Sequence, residues 1–206
     1  MTERRHHRPQ MPGAGHFEAI ETTSHGVDPA VLAEAAERAA TALVRGARDQ
    51  VDENLVSRVV HLADTEGLET LADLWAGAPA DSLAGVLWRL YLLRTWVYAD
   101  PTTAAREFDA GRALAPVAEA ISGVEEPPGP DEVRVLVDSV LGGVVAGDFA
   151  DTLFRAAAFA RVAAAGRARA ELEGSTYTSD LSAARLLTLA DQLHRAARLE
   201  LDGTLS

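Results

Sequence analysis

The chain has 206 residues and carries 31 acidic side chains against 19 basic ones, for a formal net charge of −12. It contains no cysteine and no lysine, so every basic side chain is arginine; this excludes thiolate nucleophiles, cysteine-ligated zinc and iron–sulfur centres, lysine Schiff bases and lysine-dependent phosphate loops. The charge also opposes a main surface built to grip nucleic-acid backbone, and nucleic acid is not an expected partner.

The missing lysine has a compositional origin. Asn54 is the only asparagine, and Ile20 and Ile121 are the only isoleucines, while alanine, arginine, glycine and valine abound. That pattern marks a high-GC, bacterial type of genome. The length suits one domain. Apolar stretches are broken by arginine or aspartate well short of the roughly 20 residues that a membrane span needs. The start MTERRHHRPQ leads into glycine, proline and histidine instead of an apolar run, unlike a secretory signal. A cytoplasmic protein with no membrane partner is expected.

Residues 1–27 contain Pro9, Pro12, Gly13, Gly15 and Gly26 among few large apolar side chains, and predict a disordered tail. The tail holds four of the six histidines, His6, His7, His16 and His25, and no metal role is assigned to them. Residues 28–206 are expected to form one all-α domain. Asp28-Pro29 is a helix start, with the carboxylate as N-cap and proline in the first turn, and the helix runs to about Gly46. A second helix spans about Asp49 to Thr65, and a short one Leu68 to Ala76. Pro79-Ala80-Asp81-Ser82 then opens a helix to about Ala99.

That helix contains LAGVLWRLYLLRTWVY, apolar on nearly every face, which predicts a central helix surrounded by others. Trp88, Arg89, Tyr91 and Arg94 lie within it and form the candidate ligand site, where arginines and rings hold an acidic or planar molecule. The competing expectation is that the arginines pair with internal acids or reach the surface while the rings pack. Residues 70–90 have the outline of a helix-turn-helix. The second helix nevertheless starts with Ala80, Asp81, Ser82, Leu83 and Ala84, which offer no basic group to DNA.

Asp100-Pro101 repeats the start signal, and Pro116 breaks the segment that ends near Ile121. GVEEPPGP at 123–130 reads as a linker and a possible subdivision of the domain. Helices follow over about 131–146, 149–173 and 180–201, the second capped by Asp148. The 149–173 helix is dense in alanine, which permits close helix approach in a bundle or between subunits, and a homodimer is expected on that ground. In all, the sequence predicts a bundle or array of seven to nine helices and no strands.

Two pairs at three-residue spacing, His61 with Asp64 and Asp191 with His194, lack the glutamate-x-x-histidine pattern of di-iron bundles. No metal and no cofactor is expected. No Gly-x-Ser-x-Gly elbow occurs, and no catalytic residues are assigned. The functional expectation is a non-enzymatic helical protein that binds a protein partner or associates with itself. The alternatives are a receptor for a small anionic or planar ligand beside the 83–98 helix, and an enzyme with a dispersed site free of motifs.

Overall fold

The computed structural model of the chain describes residues 28–45, 68–112, 114, 131, 134, 148–174 and 181–206. These residues form six helices and no strand: α1 Pro29–Arg45, α2 Leu68–Trp75, α3 Leu83–Ala99, α4 Pro101–Arg112, α5 Phe149–Leu172 and α6 Ala183–Leu201. The all-helical class agrees with the sequence, with six helices among the described residues against seven to nine expected for the whole chain. The tail at 1–27, the helix expected at 49–65, all but residues 131 and 134 of the one expected at 131–146, the segment around Pro116 and the linker at 123–130 lie outside the described residues.

The helix starts follow the sequence signals closely. Asp28 accepts the Ala30 N–H at 2.9 Å, Asp100 the Thr103 N–H at 2.9 Å, and Asp148 the Ala150 N–H at 2.8 Å. Each carboxylate meets N–H groups that have no partner within their own helix. The bonds to Thr103 hold the Asp100 carboxyl below its ordinary value. Two starts fall later than expected, because Ser82 and Ser182 are the caps, through bonds to the Gly85 and Arg185 N–H groups. At the other ends, Gly174 and Gly203 follow α5 and α6 at φ of 85° and 67°, the left-handed geometry that closes a helix.

The fold is arranged around α5, which receives α4 on one side and α6 on the other. Pairings along α5 and α6 run in opposite directions, from Phe154 against His194 to Arg161 with Asp191 and Glu171 with Ala183, so the two form an antiparallel hairpin. The alanines at 156, 157, 158, 160, 163 and 164 are buried inside the chain by this packing. They do not form a free face for a second subunit, so these alanines give no ground for a homodimer. Apolar side chains from Ala36 to Leu205 join one buried cluster, so segments on both sides of 123–130 share a core.

The enclosure expected for α3 is only partial. Leu83, Val86, Leu87, Leu90, Leu93 and Val97 are buried against the rest of the fold, whereas Trp88 and Tyr91 are half-buried and Tyr98 is exposed. Their rings carry enough apolar body to cover the core and enough polarity to face water.

At the α4–α5 crossing the backbones touch. A Cβ placed on Gly111 would lie 1.9 Å from the Val162 carbonyl oxygen, and one on Gly166 would lie 1.8 Å from the Glu107 carbonyl oxygen. Backbone atoms cannot rotate aside as a side chain can. Gly111→Ala and Gly166→Ala are therefore each expected to cost at least about 2 kcal/mol in chemical unfolding. Gly77→Ala, where an added Cβ meets nothing within 4 Å, serves as the control; a cost as small as the control's at both crossing positions would refute the close contact.

Candidate functional site

Trp88, Arg89, Tyr91 and Arg94 are engaged in three separate contacts. Trp88 stacks on Tyr91 with ring centroids 5.7 Å apart and planes inclined by 20°. Arg89 turns toward α6, where its Nε donates to Gln192 Oε1 at 2.7 Å while its Nη1 donates to the Gly85 carbonyl at 2.6 Å. Burial pushes the Arg89 guanidinium below its ordinary value, with Asp81 opposing that shift. Arg94 lies over the Tyr98 ring at 4.1 Å, and Arg134, from beyond the linker, stands 4.2 Å from the same ring. These are cation–π contacts at a partly exposed ring.

The arginine that enters the core is Arg167, on α5. Its side chain and that of Glu107 are 2% and 4% exposed. Arg167 Nε donates to the two carboxylate oxygens of Glu107 at 2.9 and 3.1 Å, and an Nη donates to the Leu181 carbonyl. The guanidinium also lies 5.2 Å from the Trp96 ring centroid, beside the stacked Phe108–Phe159 pair. The partners are 60 residues apart in sequence, and no local spacing signals their pairing. Two further charged contacts between described helices are Arg45 with Glu200, which ties the ends of α1 and α6, and Arg161 with Asp191.

The first turn of α3 is covered as well. Glu37 of α1 accepts the Leu83 and Ala84 N–H groups through its two oxygens, at 3.2 and 3.3 Å, and the Ser206 carbonyl accepts the Leu83 N–H at 2.8 Å. Leu83 to Leu87 are buried. A recognition helix would have to present these residues to a DNA groove.

A different surface of the same region carries a concavity. Ala80 and Asp81 of the α2–α3 turn face Gln192, Arg195, Ala196, Arg198 and Leu199 of α6 across a half-open groove of about 500 Å³. Its floor is aliphatic. Arg195 donates from Nε to the Asp191 carbonyl at 3.3 Å, and Arg198 from Nε to His194 Nε2 at 3.4 Å, both long bonds. No bond is described through the Nη groups of either residue, whose donor forks suit a carboxylate.

His194 sits beside the groove, wedged between α5 and α6. Its ring meets Phe154 edge to face at 5.3 Å. With Nε2 accepting from Arg198, the neutral ring carries its proton on Nδ1, which is buried without a hydrogen-bond partner. Burial lowers the His194 pKa first, the Arg161 and Arg198 charges lower it further, and Asp191 opposes them. Asp191 is instead spent on Arg161, with Nη2 to Oδ1 at 2.6 Å. Of the two His/Asp pairs, His61 and Asp64 lie outside the described residues. Among those described, no group of three histidine, cysteine, aspartate or glutamate side chains is placed to hold a metal ion. Among the described residues, no helix is long and apolar enough to cross a membrane.

Comparison with protein-family models, with curated proteins and with solved structures finds no match to this chain. The fold and the groove therefore define no more than a helical class: an all-α protein with a closed polar network inside and an arginine-lined groove outside.

Two measurements check this arrangement. Arg167→Met should cost about 3–5 kcal/mol, since it strands the Glu107 carboxylate in the core, and pairing it with Glu107→Leu should recover much of the loss. A single variant as stable as the parent would show that the pair is not buried. The second measurement follows from the lowered pKa of His194: the unfolded chain takes up a proton there near 6.5 while the folded chain still resists it. Its contribution is fully present above that pH and is lost as the pH falls from there toward the folded value. His194→Gln should flatten that slope; an unchanged slope would remove His194 as its origin.

Proposed function

We propose that this is a cytoplasmic, non-enzymatic helical protein that acts by binding polypeptide, and that self-association is the form its surfaces favour. The observation that carries this reading is the outer face of α6. Leu187 and Leu201 are both exposed, the latter by 63%. They stand fourteen residues apart, close to four full turns, and therefore on the same side of the helix. Between them the exposed Asp191 and Arg198 stand at the same repeating positions, with the arginine groove alongside. An apolar-ended helix face beside a charged groove supplies what a polypeptide interface uses: aliphatic contact for affinity and charge for register.

The interior supports the same reading. The buried Arg167 is neutralised by Glu107, and Arg89 is occupied by Gln192 and the Gly85 carbonyl. Arg195 and Arg198 line the outside of α6, and their described hydrogen bonds run through Nε.

Sedimentation velocity tests this at about 1 to 100 µM, a range in which interfaces of modest size titrate. The sedimentation coefficient should rise with concentration, and Leu187→Asp with Leu201→Asp should abolish the rise. A parent chain that stays monomeric over the whole range would overturn self-association.

A further inference from the structure

The α6 groove needs an occupant with exposed acid and exposed apolar side chains, and the chain itself carries such an element. The first turns of α1 are outward-facing: Asp28, Val31, Leu32 and Glu34 are all exposed, with Val31 at 51%. No basic residue occurs in this stretch before Arg38, whose contact with Glu34 is a long, solvent-exposed one at 3.8 Å. Asp28, Val31 and Glu34 recur at three-residue spacing, which lines an acid, an aliphatic side chain and an acid along one side of the helix.

The groove presents the converse. Arg195 and Arg198 stand one turn apart on α6, and neither has a described hydrogen bond through its Nη groups. Ala80 and Leu199 supply aliphatic surface beside the two arginines, and Asp81 adds one acid to the lining. A Val31 or Leu32 side chain covers the aliphatic part while a carboxylate reaches a guanidinium fork.

Resting on the self-association reading above, we propose that the α6 groove is the docking site for the start of α1 of a second copy of this chain. Glu34 of one copy meets Arg198 of the other, and Val31 with Leu32 covers Ala80 and Leu199. A two-fold pair makes this contact twice, because each copy presents both surfaces. The pairing weakens with salt, since its charges are exposed at the rim.

Charge reversal and its rescue test the proposal. Arg198→Glu and Glu34→Arg should each raise the dimer dissociation constant about tenfold or more, and the double variant should return it to within about threefold of the parent, as direct charge partners do. Arg195→Glu is made in parallel, and a thermal melt of each variant confirms the fold. Dimers unchanged by every reversal would overturn the docking site while leaving self-association intact. A parent chain monomeric at all concentrations would overturn both. Should that monomer bind citrate with a saturable heat that Arg198→Glu abolishes, the groove is a small-anion site instead and the pairing is again overturned.

Discussion

The contact on which the rest of this structure depends is the crossing of α4 and α5, where two glycines and one ion pair require each other. Glu107 contributes twice: its carbonyl lies against Gly166, and its carboxylate bonds Arg167, the next residue along α5. Any larger residue at Gly111 or Gly166 would push the helices apart and take the carboxylate away from the guanidinium. Two charges would then remain in the core without mutual compensation, an arrangement costing several kcal/mol. Conversely, the pair fixes the register at which the backbones meet. Trp96, Phe108 and Phe159 close over it, which keeps water from competing for the bonds.

From this crossing, order passes outward through polar contacts between elements far apart in sequence. Arg167 also holds the Leu181 carbonyl just before α6, and Glu171 accepts the Ala183 N–H at the start of that helix. At the opposite end of α6, Glu200 holds Arg45 of α1, and Glu37 of α1 covers the first N–H groups of α3. The Trp75 indole, fully buried, donates to the Ala36 carbonyl and ties α2 to α1. Each of these groups would be costly if left unpaired in the interior. Together they orient the helices, while the aliphatic cluster supplies the driving force that does not depend on direction.

This division leaves the arginines with two distinct roles. Arg45, Arg161 and Arg167 join helices through carboxylates. Arg195 and Arg198, on the exposed side of α6, have described hydrogen bonds through Nε alone. His194 lies at the boundary between these sets. Burial and its cationic neighbours make its ring resist an added proton.

The sequence by itself determined the helical class, because its apolar positions recur with a helical period and its Asp-Pro and Asp148 signals satisfy local N–H groups within a few residues. It also determined that cysteine and lysine chemistry is absent, a matter of composition alone. Packing decided the rest. The alanines of 149–173 read equally as a bundle centre or a subunit face until α4 and α6 were seen to cover them. The aromatic-arginine run at 83–98 places Arg89 and Arg94 among apolar residues, yet the core arginine is Arg167, whose partner is remote in sequence and brought to it by the glycine crossing. The groove draws Ala80 and Asp81 from one turn and Arg195 and Arg198 from a helix more than a hundred residues later. Such sites have no local period or spacing, since nothing but tertiary contact brings their parts together.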